Sequence, residues 1–294
     1  MLEQKLGGVY VANVTPFKDD ANLSVDDGAY LEHVAWLSGE GVRGVVPFGT
    51  NGEGPSVSLE EKLRVLDALF ESGPGLQVIP AVMQGNLPDT LRMIEVLNGY
   101  LAAAVLVLPP YYFKPAGAEG LKRFYEPVLE ASKHPVIAYH IPKYAVPVPI
   151  EVVGSLPFWG VKDSGGEPGY AEEILEANKG VLVGTEDDVR GRVGIGAQGA
   201  ISTLANFVPK EVIALYDSAT SGDEAGGEAL EGALRNARAR TKQYSSPAVL
   251  KRLAQERHGV PMGTVRPPFV PLPRGYDPEE VIRIARGTGE GGEA

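Results

Sequence analysis

The sequence predicts an α/β protein, a closed (β/α)8 barrel (TIM barrel) with additional helices at its C-terminal end. Eight short apolar runs recur along the 294 residues, they alternate little between apolar and polar positions, and segments with helical spacing separate them. Strand and helix alternating eight times indicates parallel strands joined by right-handed crossovers. An open doubly wound sheet usually has fewer strands and ranks second. The eight runs are Val9–Val14, Gly44–Phe48, Gln77–Val82, Ala104–Leu108, Pro135–Tyr139, Gly160–Lys162, Val181–Gly184 and Gly199–Ser202.

The segments between the runs carry their own helix signals. Ser24 is predicted to open the first helix, and Ser58, with Glu61 three residues later, forms a capping box at the start of the second. Pro88 suits the first turn of the third helix. Pro127 should kink or shorten the fourth helix, because proline removes a backbone hydrogen bond inside a helix. Further helices are predicted at 170–178, at 187–194 and after Pro209.

The C-terminal part of the chain continues beyond the eighth strand–helix unit. We assign residues 1–222 to the barrel and residues 223–286 to a helical extension. Three helices are predicted in that extension, at 223–244, 247–257 and 278–286. The glycine-rich residues 287–294 are expected to form a disordered tail.

Composition excludes several classes of protein. The chain has 27 Lys and Arg against 38 Asp and Glu, a net charge of −11, and an acidic surface repels nucleic-acid phosphates. The absence of cysteine excludes disulfides, thiolate nucleophiles and cysteine-ligated metals. The N-terminal residues do not resemble a signal peptide, and no apolar run approaches the roughly 18–20 residues that span a bilayer. We therefore expect a cytoplasmic protein with neither nucleic-acid nor membrane partners.

Unusual polar residues follow the ends of many of the strands. In a (β/α)8 barrel these C-terminal strand ends meet at one face, which is where the active site lies. Polar groups converging there from many loops indicate a site for a small molecule. The segments are 15–16, 49–54, 109–113, 139–142, 162–166 and 184–188.

Lys162 is the most informative of these residues. It ends an apolar strand, so its amine should be buried, and burial disfavours the charged form. A neutral amine can attack a ketone and form a Schiff base. A salt bridge to Asp163 or another acid explains the position equally well. Tyr139, which ends the neighbouring strand, could transfer protons to such an adduct, or could simply fill the barrel mouth.

The loop at residues 49–54 offers backbone N–H groups with little steric bulk and the hydroxyl of Thr50. Such a loop suits a carboxylate or phosphate, although the loop taken alone favours a plain tight turn. The glycines of 194–199 match G-x-G-x-x-G, but a helix precedes them and a strand follows, which is the wrong context for a dinucleotide. The four histidines lack a paired metal spacing, and the acids of 186–188 suit a helix N-terminus, so no metal site is predicted.

Together these segments resemble the dihydrodipicolinate synthase and N-acetylneuraminate lyase family of class I pyruvate aldolases, from about Gly8 to Ile284. The resemblance implies a barrel enzyme that works without a cofactor on small molecules, pyruvate and an aldehyde. It also implies a homodimer or homotetramer. The matching pieces are 14–17, 49–53, 110–112, 139–142, 160–163 and 199–202.

The resemblance also implies roles for individual residues. Lys162 would form the Schiff base with pyruvate and Tyr139 would shuttle protons. Thr50 and Asn51 would hold the carboxylate, and Tyr112 would reach into a neighbouring subunit. The remaining pocket residues implied by the family are Gly49, Gly184 and Ile201.

Two departures from the family pattern bear on the substrate. Asn51 stands where the family commonly has a second threonine. Five residues after Tyr139, dihydrodipicolinate synthases usually carry an arginine that holds the aldehyde's carboxylate. Here the position is Tyr144, with Lys143 beside it as a possible point charge, and a tyrosine cannot form arginine's bidentate ion pair.

The departures lead us to expect an aldolase for a 2-keto-3-deoxy sugar acid or another 4-hydroxy-2-oxo acid. Three alternatives stay open. The first is dihydrodipicolinate synthase itself, which joins pyruvate and aspartate semialdehyde in lysine biosynthesis. The others are a sugar-acid dehydratase on the same scaffold and, from another class, a non-catalytic small-molecule binder.

Overall fold

One sheet of parallel strands forms the centre of the structure, a computed structural model that describes residues 6–114 and 116–288. Within those residues the sheet has nine strands, in the order β3-β2-β1-β9-β8-β7-β6-β5-β4. The strands are β1 Gly8–Val11, β2 Gly44–Val45, β3 Gln77–Val78, β4 Ala81–Val82, β5 Val105–Val107, β6 Val136–His140, β7 Gly160–Asp163, β8 Gly180–Val183 and β9 Gly199–Ser202.

The two strands at the ends of this order, β3 and β4, belong to one apolar run, and this closes the sheet. Pro80 separates them because proline has no N–H to donate to a ladder. On one side of the run, Ile79 N–H donates to the carbonyl of Val45 in β2. On the other side, the carbonyl of Pro80 accepts from Leu106 N–H in β5. The predicted (β/α)8 barrel with C-terminal helices is thus confirmed.

Helices surround the barrel and alternate with its strands. Their starts follow the local signals, and Ser58 forms the predicted capping box with Glu61. The helices are α1 Asp27–Gly39, α2 Leu59–Glu71, α3 Leu87–Leu97, α4 Ala118–Ala131, α5 Ile150–Ser155, α6 Tyr170–Glu176, α7 Val189–Gly194, α8 Pro209–Ser221, α9 Glu224–Thr241, α10 Ser246–His258 and α11 Pro278–Ala285.

Two helix predictions were wrong. The first helix is capped by Asp26, whose side chain accepts from Ala29 N–H, and not by Ser24. The chain is still extended at Val25, which forms an antiparallel bridge with Phe17. Helix α4 continues through Pro127 to Ala131, so the shortening half of that prediction was wrong, because a buried apolar face holds the helix and packing outweighs local propensity; a kink at Pro127 stays a prediction. Helix α5, only six residues long, carries too short a pattern to be recognised from the sequence.

Successive side chains of each strand point alternately into the barrel and outward to the layer between the sheet and the helices. In β6, Ile137 and Tyr139 belong to the inner apolar cluster, whereas Val136 and Ala138 belong to the outer one. In β7 the same alternation puts Val161 outside. The side chain of the next residue in β7, Lys162, therefore points into the barrel.

The helices after the barrel, α9 to α11, pack against one another and against α8. Gly222 ends α8 in the left-handed conformation, with φ 77°, just before the predicted boundary at 222/223. The division into a barrel and an extension stays a proposal. Most of the predicted tail, residues 289–294, lies outside the described residues. No helix among the described residues is both long and apolar enough to cross a membrane.

A hydrogen-bonded chain through two neutral histidines ties the extension to the barrel. Val260 N–H donates to Nδ1 of His258, at 3.3 Å. The Nε2 of His258 therefore carries hydrogen and donates to Nδ1 of His33, at 3.1 Å. Nε2 of His33 in turn donates to Asn206, whose amide donates to the carbonyl of Ala12. Every donor in this chain meets an acceptor only while both rings are neutral.

We expect the stability of the protein to fall as the pH drops below about 7. Burial, with the nearby charge of His258, lowers the pKa of His33 from 6.5 to about 3, and burial with Arg257 lowers that of His258 to about 4. The unfolded chain therefore takes up protons first, and the stabilisation is lost from pH 6.5 downward. His33 alone should cost about 2 kcal/mol between pH 7.5 and 5.

Urea unfolding at several pH values in this window measures the effect. In the unfolded chain Asp and Glu titrate at about 3.9 and 4.3, so the protons that the unfolded chain takes up between pH 7.5 and 5 go mostly to histidine. The variant His258→Gln should show a shallower fall in the free energy of unfolding than the wild type. An equally steep fall in this variant would contradict the assignment of the neutral chain.

Candidate active site

Lys162 and Tyr139 lie against each other inside the barrel. They are register partners on β7 and β6, so their side chains leave the sheet on the same face. Nζ of Lys162 donates to the Tyr139 hydroxyl at 3.3 Å and lies 4.4 Å from the centre of the ring. Only 4% of Lys162 and 3% of Tyr139 is exposed. The pair lies at the C-terminal ends of the strands, where barrel enzymes hold their catalytic groups.

The salt bridge to Asp163 that the sequence left open is not formed. Asp163 points to the outer face of β7, and its Oδ1 accepts the backbone N–H groups of Gly165 and Gly166. Among the described residues no carboxylate forms an ion pair with Lys162. Its amine is therefore held by a phenol alone, an arrangement that leaves it available to react.

A hydroxyl of the 49–54 loop extends this pair to a row of three groups. The hydroxyls of Thr50 and Tyr139 are 3.3 Å apart. Burial by itself would raise the pKa of Tyr139, but the positive charge of Lys162 and hydrogen bonds from Thr50, Lys162 and Ser164 lower it overall. A phenol with a lowered pKa exchanges protons more readily near neutral pH.

The 49–54 loop turns tightly enough to present backbone donors beside this row. At Gly54 a Cβ would overlap the carbonyl oxygen of Phe48, so only glycine fits there. Among the described residues, no acceptor bonds the backbone N–H of Thr50 or of Asn51. Two successive backbone N–H groups and a hydroxyl are thus available in the loop, and donors of this kind suit a carboxylate. Gly49 is buried at the start of the loop.

The side chain of Asn51 holds the loop in place. Its Nδ2 donates to the Thr203 hydroxyl at 3.0 Å, and its Oδ1 accepts from the Ser246 hydroxyl at 3.1 Å. Both ends of the amide are therefore bound within the protein. At this position a threonine would reach only one of these two partners.

Ser164 belongs to the site and was missed by the sequence reasoning. Its hydroxyl donates to the carbonyl of Gly184 at 3.5 Å, and it lies near enough to Tyr139 to help lower the pKa of that phenol. The signal was available, because Ser164 stands two residues after Lys162 and period two sends both toward the same face. The other predicted pocket residue, Ile201, lies in the inner apolar cluster together with Tyr139.

Three predicted residues lie apart from this row. The Tyr112 side chain is 80% exposed and packs edge-on against Phe113. Tyr144 is 49% exposed, and the ammonium of Lys143 stacks over its ring at 4.9 Å. None of the three contacts Lys162 in the part of the chain that the structure describes.

Lys162 is one of three buried lysines among the described residues, and the sequence did not indicate the other two. Lys251, on α10, forms an ion pair with Glu53. Lys62, on α2, has a hydrogen bond at 3.5 Å to Gln84. Burial, opposed by nearby acids, lowers the pKa of each of these two to about 8. Lys162 differs from both because it lies inside the barrel beside a phenol.

His140, Asp163 and Glu167 form a cluster on the outer side of the same strands. One ligand atom from each lies within 4.8 Å of the others, as in a metal site. However, Val148 N–H donates to Nδ1 of His140, and Nε2 therefore donates to Glu167 at 2.9 Å. Hydrogen bonds already account for the geometry of this cluster. Hydrogen bonds within the protein also hold Glu186, the first of the acids at 186–188. It accepts from the Ser202 hydroxyl and from two backbone N–H groups.

Comparison with known proteins identifies the family. The model of the dihydrodipicolinate synthetase family matches residues 5–284, so the chain belongs to that family. A 4-hydroxy-tetrahydrodipicolinate synthase of Thermomicrobium roseum is 32% identical over 276 residues, 91% of this chain and 90% of the relative. A dihydrodipicolinate synthase crystal structure, 27% identical, has a TM-score of 0.85 and covers 96% of this chain and 98% of its own.

A fourth comparison concerns the fold alone. The 2-keto-3-deoxygluconate aldolase of Sulfolobus solfataricus, a variant in complex with pyruvate, has a TM-score of 0.86 at 22% identity and covers 96% of each chain. The resemblance predicted from the motifs is confirmed. The chain is a carbon–carbon lyase, and lyases of this family are class I enzymes that use a lysine Schiff base and no cofactor. The alternative of a non-catalytic binder is therefore set aside.

Replacing Gly184 should disturb the site, and replacing Gly194 should not. A Cβ at Gly184 would overlap the Ser164 hydroxyl and lie 2.7 Å from the carbonyl oxygen of Asp163. We expect Gly184→Ala to lower the free energy of unfolding by about 1–3 kcal/mol, as overpacking does. A Cβ at Gly194 meets no atom within 4 Å, so Gly194→Ala is the matched control. Urea unfolding measures both, and equal stabilities of the two variants would contradict the packing described at Gly184.

Proposed function

We propose that this lyase makes or breaks a carbon–carbon bond next to a pyruvyl group, through a Schiff base on Lys162. The observation that carries the proposal is the row of three polar groups inside the barrel. In that row the amine of Lys162 lies 3.3 Å from the Tyr139 hydroxyl, which lies 3.3 Å from that of Thr50. An amine next to a proton-transferring phenol is what Schiff-base chemistry requires.

In the synthetic direction the amine attacks the keto carbon of pyruvate and gives a carbinolamine. Tyr139 supplies the proton with which the carbinolamine loses water to become an iminium. Loss of a methyl proton then converts the iminium to an enamine, whose carbon attacks the aldehyde. Water finally releases a 4-hydroxy-2-oxo acid and returns the free amine. The reverse reaction uses the same iminium as the electron sink.

The 49–54 loop would bind the carboxylate of the 2-oxo acid. The free backbone N–H groups of Thr50 and Asn51 support this role, because charge-assisted hydrogen bonds are stronger than neutral ones. Gly49, Gly184 and Ile201 would line the same pocket. Ser164 would keep the Tyr139 hydroxyl in place from the side opposite Thr50.

We infer a hydroxylated aldehyde, and hence a 2-keto-3-deoxy sugar acid product, as the substrate class. An aldehyde that carries its own carboxylate would need an arginine at position 144, and Tyr144 offers a phenol there instead. The Lys143 ammonium lies over the ring of Tyr144. A phenol suits hydroxyl groups better than a carboxylate. A sugar-acid dehydratase would begin from the same iminium and stays the third possibility.

Dihydrodipicolinate synthase is the second candidate function. It is favoured by the relatives, since the one at 32% identity is named 4-hydroxy-tetrahydrodipicolinate synthase. The two candidates share the Schiff base and differ only in the aldehyde.

A homodimer or homotetramer also stays a proposal. The adjacent aromatic rings of Tyr112 and Phe113, each 80% exposed, support it, because a contiguous exposed apolar patch marks a site of contact with another protein. Tyr112 would reach the partner's site from there.

A cytoplasmic location likewise stays a prediction.

Borohydride treatment with pyruvate should modify Lys162 alone. Reduction of the iminium leaves a stable secondary amine, which mass spectrometry of the digested protein locates. Lys62 and Lys251 serve as internal controls, because they are buried lysines away from the row. An adduct on either of these, or none on any lysine, would contradict the proposal.

Tyr139→Phe should slow the enzyme-catalysed exchange of pyruvate methyl hydrogens with deuterium by about 100-fold or more.

An aldehyde panel tests the substrate class. We expect glyceraldehyde and related hydroxyaldehydes to react with pyruvate faster than aspartate semialdehyde. Tyr144→Arg should raise turnover of aspartate semialdehyde, because the guanidinium supplies the missing bidentate ion pair. Tyr144→Phe is the matched control, since it changes the same side chain without adding charge. Efficient use of aspartate semialdehyde by the wild type would favour the second candidate.

A further inference from the structure

The most deeply buried ion pair of the described chain lies behind the active-site loop. Nζ of Lys251, on α10, is 2.6 Å from Oε1 of Glu53, in the 49–54 loop. The two side chains are only 1% and 0% exposed. Neither residue touches Lys162 or Tyr139, so the proposed chemistry does not use them directly.

Both charged groups have further contacts besides the ion pair. Lys251 also donates to the carbonyl of Thr264 at 2.7 Å and lies 3.8 Å from the centre of the Phe17 ring. The other oxygen of Glu53 accepts the backbone N–H of Arg266 at 2.9 Å. All these partners come from outside the loop, and they leave the carboxylate little freedom to move.

The backbone of Glu53 is hydrogen-bonded to the backbone of Thr50. The backbone N–H of Glu53 donates to the carbonyl of Thr50 at 3.2 Å, and Gly54 N–H donates to that of Gly49 at 3.1 Å. Glu53 itself has φ 53°, the left-handed conformation that a side chain with a Cβ rarely adopts. Interactions of its side chain must therefore maintain a backbone conformation that the residue would otherwise leave.

The same helix holds the opposite side of the loop. Ser246, the first residue of α10, donates to the amide of Asn51. Helix α10 thus contacts the loop on both sides of the turn. Stability alone does not explain this ion pair, because apolar residues of similar volume usually stabilise a buried site at least as well. An ion pair instead specifies one geometry.

We propose that Lys251 is a positioning residue, which acts through Glu53 to keep the Thr50 hydroxyl within hydrogen-bond distance of Tyr139. The inference rests on the proposed function. By this account the C-terminal helices are part of the active site's construction, although none of their side chains reaches the reacting atoms.

The exchange of pyruvate methyl hydrogens with deuterium, followed by NMR, tests the proposal without an aldehyde. Lys251→Met leaves a lone buried carboxylate, and the loop must move to hydrate it. We expect kcat for exchange to fall by about 10- to 100-fold, well below the unfolding temperature, as misplaced catalytic groups do. Lys62→Met removes another buried ammonium and should leave kcat unchanged.

Two further variants separate positioning from a general loss of stability. In the double variant Glu53→Gln, Lys251→Met no lone charge remains, so stability should recover, whereas kcat should stay low because the ion pair that positions the loop is still missing. In a Thr50→Val background Lys251→Met should have little further effect, because the group that it positions is absent. Should Lys251→Met fail to fold, Glu53→Gln alone is compared in the same two backgrounds.

The outcomes distinguish this inference from the proposed function. If borohydride and pyruvate leave the wild-type Lys162 unmodified, the proposed function fails, and this inference with it. If the wild type forms the adduct and exchanges deuterium while folded Lys251→Met keeps its kcat, only the inference is overturned. The inference is also overturned if Lys251→Met lowers kcat by the same factor in the Thr50→Val background as in the wild type.

Discussion

The register between two neighbouring parallel strands is the constraint on which the rest of the site depends. Because Tyr139 pairs with Lys162, an amine and a phenol enter the same closed interior at the same height. A shift of one residue in either strand would turn one of these groups toward the helices. The barrel's closure matters equally, since both groups are buried in its closed interior. Thus the backbone pairing creates the reactive contact, and the side chains complete it.

A second level of the structure fixes what surrounds this contact. The 49–54 loop brings a hydroxyl and two free N–H groups to the row, and the loop is itself held by buried groups behind it. Ser164 approaches from the opposite side, in space that only a glycine at 184 leaves open. Each reacting group is therefore supported by a neighbour that does not react.

The extension after the barrel has a structural role that its distance from the chemistry does not suggest. Its helices connect to the barrel through the neutral chain of His33 and His258, and to the active-site loop through Ser246 and Lys251. These contacts join residues about 200 positions apart in the sequence. The motifs that indicate membership of the family lie in the barrel. The C-terminal helices contain none of these motifs, yet they contact the loop that holds one of them.

By itself the sequence determined the class of fold, because eight apolar runs and the helices between them follow local periodicity. It also indicated Lys162, Tyr139 and Thr50 as candidates, because each stands at or just after the end of a predicted strand. Local signals did not determine where α1 begins, whether Pro127 ends α4, or that Lys251 and Lys62 are buried. Only the tertiary structure decided these points, since they depend on what packs against each residue. The partner of a buried charge can be anywhere in the chain, and only folding brings Glu53 to Lys251.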